Sequence, residues 1–143
     1  MLVKQISVFL ENKSGRLAEV TRVLGSNNID ISALSIADTT DFGILRLIVN
    51  KPEEAEAILK DNGFTVSCTS VIAIAVPDEP GGLAAALDVL DEEGIGIEYM
   101  YAFVGKSDEE AMVILRVEEP ERAVRSLINR GVKVLSSTSV YNL

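Results

Sequence analysis

Two short segments of this sequence combine a polar side chain with a glycine just ahead of a helical pattern. Asn12 is followed by Gly15 and Asp78 by Gly81, and each glycine is followed two residues later by a leucine. A helix start has free backbone N–H groups and the positive end of the helix dipole, so a carboxylate can bind there, and a glycine lets its oxygens approach the main chain. The carbonyl of Asn12 or the carboxylate of Asp78 can accept a hydrogen bond from an ammonium group. The segments therefore fit the two charged ends of a free α-amino acid.

The same residues also suit a helix start that binds nothing. Ser14 is a good N-cap candidate, Pro80 is tolerated at or near a first helical turn, and a glycine allows a tight entry into the helix. Capping patterns are commoner than ligand sites, so each segment taken singly favours this structural role. Both interpretations stay open at this point.

Hydrophobic periodicity places each segment between a strand and a helix. Ile6, Val8 and Leu10 recur with a period of two, which indicates a strand with one buried face. The following apolar residues recur at helical spacing, and two β-branched runs separated by a polar turn indicate a hairpin. The N-terminal half therefore has the predicted order βαββαβ, over residues 4–10, 17–24, 29–37, 42–50, 52–59 and 64–71.

The C-terminal half repeats this order at a nearly constant spacing. An offset of 66 residues places Ile6 on Ile72, and the offset becomes 68 beyond a longer hairpin turn. Such consistent spacing indicates an internal duplication. We therefore expect an α+β fold of two ferredoxin-like βαββαβ plaits, at residues 1–69 and 70–143, with the last strand over residues 132–140.

Composition excludes several classes of function. The formal net charge of −9 opposes contact with a phosphate backbone, so no nucleic-acid partner is expected. The chain has no His and one Cys, Cys68, which leaves no His-based catalysis, few zinc sites and no internal disulfide. We therefore expect no metal, no cofactor and a reduced, cytoplasmic location, with Cys68 as a small buried apolar residue. No signal peptide and no run of about 20 apolar residues is present, so no membrane association is expected.

One face of each predicted sheet bears no helices, yet its residues are apolar. Phe9 in the first half, with Ala73, Ala75 and Met112 in the second, alternate with the residues expected to face the helices. An apolar outer sheet face is usually covered by something else. We therefore predict a homodimer that buries this face.

The two glycine segments and their context together resemble a known family. A strand that runs through "NKSGRL" (residues 12–17) or "DEPGGL" (residues 78–83) into a helix, inside a βαββαβ unit, resembles an ACT domain. The whole chain resembles a tandem pair of ACT domains, with Ser14 where proline is usual. ACT domains are regulatory modules of amino-acid metabolism. They pair side by side into a continuous sheet and bind amino acids with the first loop of one domain and the second strand of the other.

The resemblance implies an architecture, a pair of sites and a function. The plaits would join through residues 29–37 and 95–103 into a continuous eight-stranded antiparallel sheet with all helices on one side. Each site would combine the loop of one plait with the second strand of the other. The implied ligand-binding residues are Asn12, Ser14, Gly15, Leu17, Ile29, Asp30, Ile31, Asp78, Pro80, Gly81, Leu83, Ile95, Ile97 and Tyr99. The implied function is a non-catalytic sensor of a free amino acid, acting on a partner such as an enzyme of amino-acid metabolism.

Two other functions stay open, because a plait by itself does not specify one. A structural or interaction module that binds no ligand would have the same fold. A small plait-fold hydrolase or isomerase would need clustered polar groups with an acid, base or nucleophile. The chain has no His, and Gly, Pro and Leu occupy its loop positions. Binding of free amino acids separates these alternatives.

Overall fold

The computed structural model of the chain describes residues 1–11, 14–38, 41–104 and 109–143. Asn12 and the tips of both predicted hairpin turns lie outside these ranges. The described residues form the elements β1 Val3–Glu11, α1 Arg16–Ser26, β2 Ile31–Asp38, β3 Phe42–Val49, α2 Pro52–Asp61, β4 Thr65–Pro77, α3 Gly82–Glu92, β5 Ile97–Ala102, β6 Glu110–Val117, α4 Pro120–Asn129, β7 Lys133–Val134 and α5 Ser137–Tyr141. None of these helices combines the length and apolarity that crossing a membrane requires.

The chain divides into two compact units, and each takes in one terminus of the chain. The N-unit comprises Lys4–Thr69 with Tyr141–Leu143, and the C-unit comprises Met1–Val3 with Ser70–Val140. The Tyr141 hydroxyl accepts a hydrogen bond from the Lys4 amide at 2.9 Å, which ties the C-terminus to β1. Leu2 packs against the C-unit core.

The N-unit is a plait with the antiparallel strand order β2-β3-β1-β4 and two helices on one face. The period of two in β1 is confirmed, because Ile6, Val8 and Leu10 are all buried in the core. Leu24 of α1 and Leu59 of α2 pack into the same core. This burial holds the two helices against the sheet, since an isolated helix of about 10 residues is marginal in water.

The C-unit has the same plan, with the strand order β7-β4-β6-β5. Ile72 and Ile74 of β4, Leu90 of α3 and Leu127 of α4 are buried in its core. Ile72 and Leu90 are the residues that the offset of 66 places on Ile6 and Leu24. The α+β class and the two plaits are therefore confirmed.

The number of strands and the pairing of the second strands differ from the prediction. The chain has seven strands rather than eight, because the last strand of the first plait and the first strand of the second form the single strand β4. Within the described residues β2 pairs only with β3, and β5 pairs only with β6. The predicted join through β2 and β5 is therefore wrong for one chain, and each of these strands remains a sheet edge.

The predicted last strand, residues 132–140, is also wrong over most of its length. β7 covers only Lys133–Val134, and the chain then turns into the short helix α5. Ser136 Oγ accepts a hydrogen bond from the Ser139 amide at 3.1 Å, as an N-cap residue does. A serine that satisfies the first amides of a turn competes with the strand conformation. The corresponding Cys68 cannot provide such a cap and lies within β4.

The predicted outer face is largely buried within a single chain. Ala73 and Ala75 are only 0% and 5% exposed, whereas Phe9 is 40% exposed. Residues that are already buried add no area to an interface with a second chain. The predicted homodimer face therefore cannot include Ala73 or Ala75.

Candidate ligand-binding site

The two helix starts have the same backbone geometry. Gly15 precedes α1 with φ 87° and ψ −7°, and Gly81 precedes α3 with φ 87° and ψ −8°. These left-handed angles are strained for a residue with a Cβ and are open to glycine. The duplication therefore preserved the conformation by which the chain enters each helix.

No side chain caps either helix. The glycines themselves are the N-cap residues, and neither α1 nor α3 has a side-chain cap hydrogen bond. The prediction that Ser14 is an N-cap is therefore wrong, whereas Pro80 lies near the first turn of α3 as predicted, directly before the N-cap residue Gly81. Unpaired N–H groups in a first helical turn can bind an anion, although the Gly82 amide at the start of α3 already donates a hydrogen bond to the Glu79 carbonyl at 3.0 Å.

In the N-unit a small cavity lies beside the start of α1. Its volume is about 90 Å³, and Glu11, Arg16, Leu17, Ile36 and Asp38 contribute to its lining. Leu17 is the only predicted site residue among them. The charged groups are of both signs, as the two ends of an amino acid require.

Arg16 has a donor with no acceptor. Its Nη1 lies 3.0 Å from Glu19 Oε2, and its guanidinium carbon lies 4.6 Å from the centre of the Phe64 ring. The Nε is buried and finds no hydrogen-bond acceptor among the described residues. A buried N–H without an acceptor is unfavourable by about 1–3 kcal/mol.

Arg16 could pair with a ligand carboxylate, but the sequence pattern did not place it among the predicted site residues. A lone Arg in an acidic chain usually forms a solvated ion pair, and Arg16 does form one with Glu19. The signal that could have identified it is its position as the first residue of α1, directly after Gly15. Side chains at that position are near the free N–H groups of the helix.

The predicted strand residues of the N-unit have different environments. Ile29 is buried in the core, and Ile31 packs against that core from a partly buried position. Asp30 is exposed, and its amide donates a hydrogen bond to Asn50 Oδ1 at 2.9 Å. Ile36, farther along β2, is the residue of this strand that reaches the cavity together with Asp38.

The predicted loop residues of the C-unit lie at the surface. Asp78, Pro80 and Gly81 are exposed, and Leu83 is partly buried against the core. The Asp78 amide donates a hydrogen bond to the Glu109 carbonyl at 2.9 Å, which fixes the loop to the segment before β6. The Asp78 side chain is thus left at the solvent-exposed start of α3.

The predicted strand residues of the C-unit do not share one face. Ile95 is buried in the core and Ile97 packs against it. Met100 lies opposite Leu115, a core residue, so Met100 is on the helix side of β5 and Tyr99 is on the other face. The Tyr99 and Tyr101 rings stack with their centres 6.5 Å apart. The structure therefore brings Tyr99 together with Tyr101 on the face away from the helices.

Cys68 lies in a charged environment that suppresses its ionisation. It is half-buried, and burial together with a hydrogen bond to Glu56 raises the pKa of the thiol to about 11. Lys4 Nζ and Lys60 Nζ lie 3.3 and 3.2 Å from the Glu56 carboxylate. The thiol is the unreactive form, so Cys68 has little nucleophilic character near neutral pH.

Comparison with known proteins gives the family. The model of the ACT domain pair matches residues 1–143. The structure of protein BT0572 from Bacteroides thetaiotaomicron is 47% identical, with a TM-score of 0.95 over 100% of this chain and 98% of that one.

The regulatory subunits of aspartate kinase from Thermus thermophilus, in the ligand-free form, and from Thermus flavus share the fold. They are 18% and 17% identical, with TM-scores of 0.65 and 0.60. The matches cover 91% and 89% of this chain and 94% and 91% of theirs. Comparison with curated proteins returns no match. On the family match over its full length, the chain belongs to the ACT domain family as a pair of ACT domains.

Proposed function

We propose that this ACT domain pair is a non-catalytic regulatory protein that binds a free amino acid beside the starts of α1 and α3. The observation that carries the proposal is the N-unit cavity, where the buried Nε of Arg16 has no acceptor among the described residues and Asp38 supplies a carboxylate. An amino acid is a zwitterion and needs donors for its carboxylate and an acceptor for its ammonium group. Arg16 with the first amides of α1 would hold the carboxylate, and Asp38 would face the ammonium group.

The C-unit supports a second site of the same kind. Gly81 reproduces the conformation of Gly15, and the exposed Asp78 stands at the start of α3 as an acceptor for an ammonium group. The contributions of Asn12, Ser14 and Leu17, and of the strand residues 29–31 and 95–99, remain part of this proposal.

The relatives support a regulatory role rather than a catalytic one. The aspartate kinase subunits that share the fold are regulatory subunits by name. An enzyme of amino-acid metabolism is therefore the proposed partner, and the cytoplasm the proposed location. The chain has no His, and the raised pKa of Cys68 leaves it a poor nucleophile. A ligand-free interaction module is the second candidate, because the C-unit loop residues are all at the surface.

We also propose that the chain forms a homodimer through its sheet edges. β2 and β5 each have one strand neighbour, and the large apolar residues Leu34, Ile36 and Met100 are exposed along them. An unpaired edge with exposed apolar side chains is a template for a second strand. Light scattering at micromolar concentration should report twice the chain mass of 15.4 kDa. A species of 15.4 kDa alone would contradict the dimer.

A thermal-shift screen of the full chain against the proteinogenic amino acids tests the function. A ligand that binds the folded state at a hundred times its Kd stabilises it by about 2.7 kcal/mol, which gives a clear rise in Tm. If no amino acid raises the Tm, the ligand-free interaction module becomes the better interpretation.

Calorimetric titration with the ligand from that screen then tests the residues. Asp78→Ala should weaken binding in the C-unit by about ten- to a hundredfold, because it removes one charge-assisted hydrogen bond to the ligand. Because Asp78 caps no helix, the stability should change by less than about 0.5 kcal/mol. The matched control is Asp88→Ala, at an exposed position on α3.

Arg16→Lys keeps the charge in the N-unit but removes the Nε donor, so affinity there should fall by about tenfold. Arg22→Lys, on the exposed surface of α1, is its control. If Arg16→Lys and Asp78→Ala both bind the ligand with unaltered affinity, the two loops serve only as helix starts and do not bind the ligand.

A further inference from the structure

The C-unit contains a second, larger cavity that borders Gly82, the first residue of α3. Its volume is about 450 Å³, and it is lined by β4, by one side of α3 and by the segment that connects α4 to β7. The volume lies within the range of small-molecule pockets, about 300–1,000 Å³. Asp78, Pro80, Gly81 and Leu83 do not line it, so it is separate from the site proposed above.

The duplication explains why this space is open. Gly82 lines the cavity, and 82 − 66 = 16 places it on Arg16. Val132 also lines it, and 132 − 68 = 64 places it on Phe64. In the N-unit the side chains at these two positions contact each other, with the guanidinium 4.6 Å from the ring centre. The C-unit lacks both large side chains.

A third position follows the same pattern. Ala85 lines the cavity where the N-unit has Glu19, the ion-pair partner of Arg16. A Cβ on Gly82 would clash with the Pro77 carbonyl oxygen, so this position cannot hold a side chain without a shift of the main chain. The C-unit therefore has smaller residues at all three positions of the Arg16–Glu19–Phe64 arrangement.

The charged residues at the cavity indicate which ligand would enter it. Arg130 and Lys133 line it, where the N-unit has the uncharged Asn62 and Thr65. Lys133 is well exposed and forms an ion pair with Glu110 Oε1 at 3.2 Å. Exposed ion pairs contribute about 0–1 kcal/mol, so Lys133 can exchange this partner for a ligand anion at little cost. Glu110 also lines the cavity, Arg130 forms an ion pair with Glu92 Oε2 at 2.6 Å, and the remaining lining is mainly alanine and valine.

We infer that this C-unit cavity is a binding site for a small organic carboxylate with a compact apolar body. The apolar body would lie against the alanine and valine residues of the lining, where Val132 stands in place of the larger Phe64, and the carboxylate would lie at Lys133. The site goes beyond the proposed function, because it requires no ammonium group on the ligand and no second domain.

The test uses the full-length ¹⁵N-labelled chain and three probes of one size: benzoate, benzyl alcohol and benzamidinium. We expect benzoate to shift the amides of Gly131 and Lys133 saturably, with a Kd in the millimolar range usual for fragments, and to bind at least about threefold more tightly than benzyl alcohol. Val132→Phe restores the N-unit residue and should weaken benzoate binding by about tenfold or more. The reciprocal Phe64→Val changes the same volume in the N-unit and should leave the C-unit affinity within about twofold.

Lys133→Gln provides a variant whose folding is not in question, because the side chain is largely exposed. In Lys133→Gln the affinity for benzoate should fall to that for benzyl alcohol. No saturable shift up to about 20 mM probe, tightest binding by benzamidinium, or unchanged binding in Val132→Phe would each overturn the inference. Shifts confined to residues 78–81 would indicate binding at the proposed amino-acid site and would also contradict the inference about the cavity. If no amino acid raises the Tm in the thermal-shift screen, the proposed function fails but the benzoate result still stands.

Discussion

The starts of α1 and α3 share one backbone conformation but have opposite surroundings. Gly15 and Gly81 agree to within a degree in φ and ψ. The next residue is Arg16 in the N-unit, packed on Phe64, and Gly82 in the C-unit, beside an open cavity. Backbone geometry therefore constrains the entry into each helix, whereas the side chains next to that entry differ between the two units.

The two units also differ where the second helix meets the last strand. Glu56 in the N-unit contacts Lys4 and Lys60 and accepts a hydrogen bond from Cys68, which lowers the pKa of Glu56. The offset of 68 places Val124 and Ser136 at the positions of Glu56 and Cys68 in the C-unit. Titration of these groups should therefore affect the N-unit alone.

The largest expected effects come from equivalent core positions. Leu24 and Leu90 are each 0% exposed, so Leu24→Ala and Leu90→Ala should each lower the free energy of unfolding by about 3–4 kcal/mol. Urea unfolding at neutral pH measures both, with Ile128→Ala at an exposed position as control. If the losses in unfolding free energy of the two variants differ by more than about 2 kcal/mol, the two cores are not energetically equivalent.

A smaller but asymmetric effect is expected at the first residue of α3. Gly82→Ala would place a Cβ 2.0 Å from the Pro77 carbonyl oxygen, so it should destabilise the chain by about 2–3 kcal/mol. Gly25→Ala, in α1 with no atom within 4 Å of its Cβ, should instead stabilise it by about 0.5–1 kcal/mol. A Gly82→Ala protein as stable as wild type would show that the close approach of the main chain is not required.

The two glycines in the left-handed conformation should respond alike. Gly15→Ala and Gly81→Ala should each lower the free energy of unfolding by about 1–2 kcal/mol through backbone strain, because nothing lies within 4 Å of either Cβ. Asn tolerates this conformation better, so Gly81→Asn should cost less than Gly81→Ala in the same denaturation experiment. Unequal costs at Gly15 and Gly81 would argue against a preserved entry geometry.

The smallest effect is a pH dependence confined to the N-unit. The pKa of Cys68 is about 11 in the folded chain against an ordinary 9.0, so the unfolded state loses its proton first as the pH rises. Stability from this group is therefore complete below pH 9 and is lost toward pH 11, by about 1 kcal/mol after allowance for its partial exposure. The difference in unfolding free energy between wild type and Cys68→Ser, followed from pH 8 to about 11, isolates this contribution. A constant difference would contradict the assigned pKa.

A fall in pH should lower the stability through Glu56, whereas a rise in pH lowers it through Cys68. Because the folded pKa is lowered, its stabilisation is present above the ordinary value of 4.5 and is lost as the pH falls through the folded pKa. Glu56→Gln should flatten this acid limb in the same unfolding experiment. An unchanged acid limb would show that the contacts of Glu56 with Lys4, Lys60 and Cys68 contribute nothing to stability.

The duplication, the family and most of the elements could be predicted from the sequence, although the last strand and the helix α5 could not. The predictable features depend on local periodicity and on spacing, as in the alternation of Ile6, Val8 and Leu10 and in the repeat of Gly15 at Gly81, and both can be read without knowing which residues meet. Only the tertiary contacts show that β4 is one continuous strand, that Ser136 starts a helix, and that the buried Nε of Arg16 has no acceptor among the residues the structure describes. They also show that Gly82 borders a cavity rather than a packed side chain. Each of these depends on neighbours far away in the chain, since burial and hydrogen bonding are settled by contacts that local pattern does not specify.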